Sequence, residues 1–464
     1  MNGHVPSGCR HRLRNDASYP SGSTGNQAGR PCGRSGCGGI ARVRCLHGLK
    51  FSFDTLGGMD ELSLRIRARI DQSGGWIGFD EFMHLALYCP QLGYYCGGGR
   101  PFPSHPSVAD GDFVTAPMLG PWLAETIWSW AQPLRHLLGE PSAHREPLRI
   151  REFGGGRGDL AAGLRAAAND GAIEIEMVEP SADLQQLQQQ LMAKDDPIQW
   201  LKSPQAGFSG LVVANEVLDA MPVKCFEWTG EDQVLEWGIS LDSRPAADSP
   251  QRSGFVWARR DAGPALRRAV MDRQAAANQR GLPWDRGHCG EWAPWVGPWL
   301  RSLFDSMDCG AVLLLDYGFS RAELDQPGRS AGTLCAHLHH RRIDHRDELL
   351  TRIGQQDLTA HVDFTQVAAE AREAGFQVSG FVTQGRFLLN SGILQRLEPT
   401  LQSLREPIEQ ARLMQQLQML VSEAEMGEVF KVLLLIKGLE DKILSGLIEP
   451  SFVEGDRLAG LFSS

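Results

Sequence analysis

The fold is decided by a glycine-rich stretch, Glu152-Phe153-Gly154-Gly155-Gly156-Arg157-Gly158-Asp159-Leu160, which follows an apolar run and precedes a helical pattern. Glycines at positions 154, 156 and 158 allow a tight turn and a close approach of the backbone to a ligand, and the helix start offers free N–H donors. The unit predicts a ligand-binding loop at the carboxyl edge of a parallel sheet. The alternative is a tight turn that binds nothing.

Short apolar runs alternate with helical stretches around this loop, as in successive βαβ units. Strands are predicted at 148–153, 173–178, 210–214 and 311–316, and helices at 160–168, 184–192 and 299–307. A helix at 408–421 and a late strand at 429–436 would complete a seven-stranded sheet. The expected fold class is therefore α/β, with a doubly wound, Rossmann-like sheet.

The regions around this alternation have other patterns. Apolar residues at helical spacing from Leu62 onward predict an N-terminal helical subdomain at 59–147, before a sheet domain at 148–440. An insertion at 223–292 carries strand-like pieces and predicts a β-rich cap over one end of the sheet. Residues 441–464 are assigned to a C-terminal tail.

Residues 1–58 are rich in Gly, Arg and Ser and lack apolar periodicity. Such a segment buries too little apolar surface to offset the entropy of ordering, so disorder is expected. Its scarcity of acids also suits an organellar transit peptide, although the glycines disfavour an amphipathic helix. A misassigned start, with Met59 as the first residue, is favoured.

Composition excludes several classes of protein. The chain has 464 residues and a formal net charge of −10, which argues against a nucleic-acid binder with a basic surface. The longest apolar run, 429–436, is interrupted by Lys431 and is shorter than the roughly 20 residues that span a bilayer. Ten cysteines fall below the density of a disulfide scaffold, so a reducing compartment is expected.

Two acids indicate which ligand the glycine loop binds. Glu152 ends the strand before the loop, where a carboxylate suits a cationic amino group or sulfonium better than a pyrophosphate. Glu179 follows the next strand and is placed to accept hydrogen bonds from ribose hydroxyls, a role shared with dinucleotide sites. The glycine spacing departs from the G-x-G-x-x-G dinucleotide fingerprint.

A second polar cluster, Asn215-Glu216-Val217-Leu218-Asp219-Ala220-Met221-Pro222, directly follows a predicted buried strand. Polar groups at this edge point into the crevice where open α/β sheets bind ligands. Glu216 and Asp219 could hold a guanidinium by charge-assisted hydrogen bonds. The alternative is a helix N-cap formed by Asn215. Asp316-Tyr317-Gly318 ends another strand at the same edge, either as crevice wall or as a polar terminus.

Histidines provide weaker signals. His361 and Asp363 are two residues apart, which in an extended chain places them on one face, so His361 could relay a proton or serve a structural role. The run His337-Leu338-His339-His340-Arg341-Arg342 has no structural-zinc spacing, and a solvated basic loop is expected there. No metal site is predicted.

Taken together, these segments resemble the MidA family, whose members include a mitochondrial complex I assembly factor and bacterial relatives. The segments that carry the likeness are Phe79-Asp80-Glu81-Phe82-Met83, Leu87-Tyr88, Gly93-Tyr94-Tyr95, Asp112-Phe113-Val114-Thr115-Ala116-Pro117, the glycine loop, 215–222, 316–318 and 357–364. They occur in one order over roughly residues 62–440, which makes coincidence improbable.

The resemblance implies a class I methyltransferase fold, S-adenosyl-L-methionine as cofactor and protein arginine methylation. Carried over by motif, the cofactor-binding residues are Glu152, Gly154, Gly156, Gly158, Glu179, Asn215, Thr115 and Pro117. The residues expected on the catalytic, acceptor side are Glu216, Asp219 and His361.

The resemblance also implies a protein substrate with an acceptor arginine, a respiratory-complex subunit being one candidate, and leaves a homodimer open. The expected compartment is the bacterial cytoplasm, or the mitochondrial matrix if the N-terminal extension is a transit peptide. Two rival functions remain open: a methyltransferase-fold assembly or binding protein with little catalysis, and a dinucleotide-dependent oxidoreductase.

Overall fold

The computed structural model describes residues 60–97, 114–138, 147–168, 172–193, 196–242, 254–339 and 341–462. Contacts group Gly58–Ser464 into one compact unit. The predicted extension at 1–58 and the Asp112-Phe113 part of the N-terminal motif lie outside the described residues. Within the described ranges, no helix combines the length and the hydrophobicity that crossing a bilayer requires.

Strands and helices alternate through most of the chain. The strands are β1 Trp76–Gly78, β2 Leu148–Phe153, β3 Ile173–Val178, β4 Ile198–Leu201, β5 Phe208–Asn215, β6 Lys224–Gly230, β7 Gln233–Leu241, β8 Phe255–Asp261, β9 His288–Trp292, β10 Met307–Phe319, β11 Cys335–Leu338, β12 Arg341–Ile343, β13 Asp357–Thr359, β14 Val362–Asp363, β15 Gln377–Thr383 and β16 Phe430–Lys437. The α-helices are α1 Glu61–Gln72, α2 Phe79–Tyr88, α3 Trp122–Trp130, α4 Asp159–Ala167, α5 Ala182–Leu191, α6 Pro264–Gln279, α7 Val296–Ser306, α8 Arg321–Leu324, α9 Arg346–Leu349, α10 Phe364–Ala374, α11 Gln384–Asn390, α12 Ile393–Ser403, α13 Pro407–Val421, α14 Met426–Val429, α15 Asp441–Ile448 and α16 Leu458–Phe462.

The main sheet is mixed and has the strand order β15-β16-β10-β5-β2-β3-β4. Strands β10, β5, β2, β3 and β4 are parallel, and β16 runs antiparallel to both β10 and β15. The short strand β14 pairs with β10 off this path, so the sheet has eight strands where the sequence predicts seven. The predicted strands at 148–153 and 173–178 match β2 and β3 at both ends.

Both faces of the main sheet are buried. Successive side chains of a strand point to opposite faces, so neighbouring residues belong to different clusters. On β10, Leu313 and Leu315 pack with α3, α4 and α11 in one cluster, whereas Val312 and Leu314 pack with α7 and α10 in the other. Helices therefore cover the sheet on both sides. Polar side chains gather at its carboxyl edge.

A second sheet, with order β1-β7-β6-β9 and β8 paired to β7, contains the predicted strands of the insertion. The N-terminal segment contributes β1, and Ile77 pairs with Ile239 of β7. Both residues belong to one buried cluster that also includes Phe82 and Phe255. The expected purely helical N-terminal subdomain is thus wrong in one respect, since this segment contributes a strand and shares its core with the insertion.

A third sheet, β12-β11-β13, replaces the predicted solvated basic loop. His337 of β11 pairs in register with Arg342 of β12 and with Asp357 of β13. The prediction was wrong because alternate residues of β11, Cys335 and His337, face a cavity while the strand pairs on both edges. The described residues contain no group of three or more His, Cys, Asp or Glu side chains arranged to hold a metal.

Candidate functional site

A cavity of about 660 Å³ opens at the carboxyl ends of β2, β3, β5 and β10. The glycine loop and the segments after β3 and β5 form its floor. The N-terminal segment and the sheet β12-β11-β13 form further walls. Among the described residues, none from the second sheet lines the cavity. The cap that the insertion is predicted to form over one end of the sheet therefore does not enclose this site.

The glycine loop adopts a backbone that other residues rarely tolerate. Gly154, Gly156 and Gly158 have φ values of 61°, 53° and 94°, in the left-handed region. A Cβ on Gly154 would lie 2.8 Å from Cγ2 of Val217, so the loop and the segment after β5 pack directly against each other. Gly158 is the N-cap of α4, and the first helical residues, Asp159 and Leu160, line the cavity. The unpaired N–H groups of the first helical turn therefore lie beside the cavity.

Glu152 lies beneath this loop with its side chain 3% exposed, and its Oε2 atom has no hydrogen-bond partner among the described residues. Burial raises the pKa of Glu152 to about 8, and the nearby Asp159 and Glu179 carboxyls add to the rise. A buried acceptor without a donor is costly, so the site is built for a donor that a ligand supplies.

Glu179 follows β3, as predicted, and connects the loop to the N-terminal segment. Its Oε1 accepts a 2.8 Å hydrogen bond from the Ser181 N–H, and Ser181 Oγ donates to the carbonyl of Tyr95 at 3.0 Å. Burial raises the pKa of Glu179 to about 7, against the opposing effect of the Ser181 N–H. Gln188 Nε2 donates to the Gly156 carbonyl at 2.9 Å, which fixes the loop from α5.

The chain after β5 forms a turn held by one carboxylate. Asp316, at the end of the β10 core, is fully buried, and its Oδ2 accepts the N–H groups of Val217, Leu218 and Asp219 at 3.1, 2.8 and 3.3 Å. No helix follows Asn215, so the N-cap alternative is wrong. Glu216 has a φ of 54°, a strained conformation that is typical of functional sites.

Glu216 and Asp219 both line the cavity. Burial, with the Asp219 carboxyl next, raises the pKa of Glu216 to about 8. Burial raises the pKa of Asp219 to about 6, although the Tyr317 hydroxyl hydrogen-bonds its carboxylate and opposes the rise. Asp219 Oδ1 has no hydrogen-bond partner among the described residues. Burial thus makes both carboxyls weaker acids than usual, and Glu216 more so than Asp219.

His361 lines the cavity between two aromatic rings, with centroids 5.3 Å from Tyr317 and 5.2 Å from Phe319. Burial, followed by the positive charge of Arg342, lowers the pKa of His361 to about 4. The expected common face with Asp363 is wrong, because His361 lies between the separate strands β13 and β14 and lines the cavity, whereas Asp363 does not line it. Asp363 instead caps α10, and its Oδ2 forms an ion pair with Nε of Arg321 at 2.9 Å.

Thr115 and Pro117 line the cavity from the N-terminal side, and Asn215 lines it from β5. Ten of the eleven predicted site residues line the cavity. The eleventh, Gly158, precedes α4 as its N-cap. Their roles stay predictions.

Sequence reasoning missed part of the wall. Tyr88 and Tyr95 enter from the N-terminal segment, and the Tyr95 hydroxyl donates a 2.9 Å hydrogen bond to Asp357. His337 and Arg342 enter from the third sheet. The alternation of His337 with His339 in a short run was the one available sign of a strand.

Acidic side chains outnumber Lys and Arg in the cavity wall that the structure describes. The acids are Glu152, Asp159, Glu179, Glu216, Asp219 and Asp357, and the Lys and Arg residues are Arg157, Lys202 and Arg342. Arg157 is already paired with Asp159 at 3.0 Å. This balance favours a cationic ligand.

Comparisons with known proteins identify the family. A family model for S-adenosyl-L-methionine-dependent methyltransferases matches residues 118–382. The mitochondrial protein arginine methyltransferase NDUFAF7 of Danio rerio is 28% identical, over 77% of this chain and 82% of its own length. Its Drosophila melanogaster homolog is also 28% identical, over 82% and 86%.

A solved structure adds the cofactor. A likely methyl transferase from Burkholderia thailandensis, bound to S-adenosyl-homocysteine, is 32% identical and superposes with a TM-score of 0.71 over 86% of this chain and 96% of its own. A native structure from the same organism gives 31% identity and a TM-score of 0.69 over the same shares. The chain therefore belongs to the MidA family of S-adenosyl-L-methionine-dependent methyltransferases.

Proposed function

We propose that this methyltransferase is a protein arginine N-methyltransferase with a class I sheet. The observation that carries the proposal is the pair Glu216 and Asp219, two carboxyls that face the cavity beside the glycine loop, and no Lys or Arg among the described residues lowers the pKa of either. The printed names of the NDUFAF7 relatives support the same acceptor. The domain bounds predicted from the sequence are part of the proposal.

The residues around the glycine loop fit S-adenosylmethionine. Gly154, Gly156 and Gly158 give the loop the left-handed backbone that a tight ligand-binding turn requires, and the unpartnered Oε2 of Glu152 suits the ammonium group of the methionine portion. Glu179 is placed after β3 for the ribose hydroxyls. We assign Thr115, Pro117 and Asn215 to the remaining wall of this half of the cavity.

The acceptor half suits a guanidinium. That group is planar, always charged, and donates several N–H groups in a fixed fork, so it can satisfy two carboxylates at once. Glu216 and Asp219 both have raised pKa values, and a bound cation would favour their charged forms. Neutral amines or hydroxyl acceptors would leave these acids without a counter-charge.

Bound S-adenosylmethionine supplies an electrophilic methyl group on its sulfonium. Glu216 and Asp219 would hold the acceptor guanidinium beside the cofactor site, and this positioning would supply most of the rate enhancement. One proton leaves the guanidinium for each methyl added. Glu216 is suited to take this proton, because the bound cation favours its charged form while burial makes it a stronger base than an exposed carboxylate. His361 has a lowered pKa, and its Nδ1 has no hydrogen-bond partner among the described residues, so in this scheme it packs in the wall as a neutral imidazole.

The two rival functions explain fewer features. An assembly or binding protein with little catalysis would not need the unpartnered Glu152 or the strained Glu216. A dinucleotide-dependent oxidoreductase would place a pyrophosphate near Glu152, where its charge would be repelled.

Partner and compartment belong to the same proposal. The substrate is a protein that presents an arginine, and a respiratory-complex subunit is the candidate that the family resemblance suggests. A bacterial cytoplasmic enzyme is proposed, with the mitochondrial names of the animal relatives supporting the matrix alternative. A homodimer remains part of the hypothesis.

The test measures transfer of labelled methyl groups to a peptide library that contains arginine and to the same library with lysine in its place. We expect transfer to arginine peptides. Glu216→Gln should reduce kcat/KM by about a hundredfold or more, since the variant removes both the charge and the proton acceptor. Binding of S-adenosylhomocysteine, measured by calorimetry, should change little.

Glu231→Gln is the matched control, because Glu231 also has a positive φ but is exposed in the β6–β7 turn and does not line the cavity. Equal transfer to lysine peptides, or full activity of Glu216→Gln, would show that the arginine assignment is wrong. Methyl transfer itself would still be measurable in both cases.

A further inference from the structure

The third sheet presents a row of three polar side chains to the cavity, an acid, a histidine and an arginine. Asp357, His337 and Arg342 occupy one register line across β13, β11 and β12, and all three line the cavity wall. Adjacent strands place such residues about 5 Å apart on one face. The row is not part of the proposed cofactor site or of the Glu216 and Asp219 pair.

Asp357 forms the inner end of this row and is one of the acids that line the cavity. Asp357 is buried, accepts the Tyr95 hydroxyl at 2.9 Å, and lies close enough to Glu216 to raise its pKa. A guanidinium held by Glu216 and Asp219 therefore also lies next to Asp357. This end of the row faces the reacting part of the acceptor.

The outer end of the row is basic and open to solvent. The Arg342 side chain is 50% exposed, and its Nε donates to Asp344 Oδ1 at 2.6 Å, where Asp344 is 66% exposed. Exposed pairs of this kind contribute little to stability, so an incoming carboxylate can replace Asp344 at little cost. Arg342 also faces inward, because its charge lowers the pKa of His361 in the cavity.

We infer that the row Asp357–His337–Arg342 is the wall along which the acceptor protein enters, and that it selects an acceptor arginine with an acidic residue close by in its chain. This inference rests on the proposed function. The guanidinium is held at the acidic inner end, and the neighbouring carboxylate pairs with Arg342 at the mouth. A basic neighbour would meet Arg342 with like charge.

The strand β12 provides a matched pair of variants. Arg341 and Arg342 are adjacent and both exposed, but they point to opposite faces, and only Arg342 lines the cavity. Arg342→Glu and Arg341→Glu change the net charge equally. Both positions are solvent-facing, so neither change disturbs a core. Asp344→Asn is a third variant, which frees Arg342 from its present partner.

The experiment uses the full chain with saturating S-adenosylhomocysteine and fluorescent peptides in which one arginine is flanked by Glu, Gln or Lys. Affinity is measured by anisotropy, and kcat/KM on the same peptides with S-adenosylmethionine. We expect the Glu peptide to bind about tenfold or more tightly than the Lys peptide. Arg342→Glu should abolish or reverse this preference, Arg341→Glu should keep it within about twofold, and Asp344→Asn should enlarge it.

The outcomes separate two failures. Two results would contradict the role of this row: methylation of arginine peptides without a flank preference, or an equal change of preference in Arg341→Glu and Arg342→Glu. The assignment of arginine as the acceptor would stand in both cases. If an enzyme that binds S-adenosylhomocysteine methylates no arginine peptide, both proposals are wrong. Calorimetry of S-adenosylhomocysteine binding to each variant confirms that the cofactor half remains folded.

Discussion

The two halves of the cavity are assembled from the chain in different ways. The proposed cofactor half draws most of its groups from one βαβ unit, from Glu152 in β2 to Glu179 after β3. The proposed acceptor half combines Tyr95, Glu216 and Asp357, which are more than a hundred residues apart in sequence. A ligand that is common to a whole family can be bound by a local unit, whereas a specific acceptor needs surfaces from several parts of the fold.

The largest effect should come from the glycine loop. Gly154→Val forces a β-branched residue into a φ of 61° and places its Cβ 2.8 Å from Val217 Cγ2, so the loop must move away from its ligand-binding position. We expect calorimetry to show affinity for S-adenosylhomocysteine lower by about a hundredfold or more, equivalent to roughly 2.8 kcal/mol.

Gly281→Val is the matched control for this loop. Gly281 has a φ of 73° and nothing within 4 Å of an added Cβ, and it does not line the cavity. It should show a similar loss of unfolding free energy with unchanged binding. Equal loss of binding in both variants would mean that a general loss of stability lowers the affinity. A specific role of the glycine loop in binding would then be wrong.

The same contrast explains how much the sequence predicts. Strands β2 and β3 are six-residue segments with regularly spaced apolar side chains, bounded by turn residues, so their limits follow from local pattern. Strand β4 was missed because Ile198–Leu201 is short and largely unburied, and is recognisable only by its pairing with β3. The third sheet was missed because its strands have three or four residues and polar composition.

Site residues follow the same rule. Glu216 and Asp219 directly follow a buried strand, and this position alone predicts that they lie at the carboxyl edge. Asp357 and Arg342 have no such local marker, because a tertiary turn and a sheet pairing bring them to the cavity. The error at Asp363 has the same origin, since two separate strands replace one extended segment.

An intermediate effect is expected at Glu152, where stability and binding should change in opposite directions. Glu152→Gln keeps the shape but removes a charge near Asp159 and Glu179. Without the carboxylate for the ligand's ammonium group, affinity for S-adenosylhomocysteine should fall about tenfold. The unliganded variant should unfold at a higher denaturant concentration than the wild type near pH 8.

The sign of the pH dependence follows from the raised pKa. Folding moves the Glu152 pKa from an ordinary 4.5 to about 8, so its contribution to the unfolding free energy is greatest below pH 4.5 and is lost by about pH 8. The stability difference between Glu152→Gln and wild type should therefore grow with pH in this window, by at most about 1.4 kcal/mol per pH unit. Glu174→Gln, exposed on β3, is the control and should show no such trend.

The smallest effect is expected at His361, in the acceptor half. Its pKa of about 4 means that it is neutral at any pH where the enzyme would be assayed, so it cannot be the group whose titration controls the rate. His361→Asn should lower kcat/KM by about threefold through lost packing against Tyr317 and Phe319, with the shape of the pH–rate profile unchanged. A change in kcat/KM with a midpoint near pH 6.5 that is absent in His361→Asn would make His361, and not Glu216, the proton acceptor. Retention of a limb near pH 8 in His361→Asn, and its loss in Glu216→Gln, would assign the proton to the carboxyl.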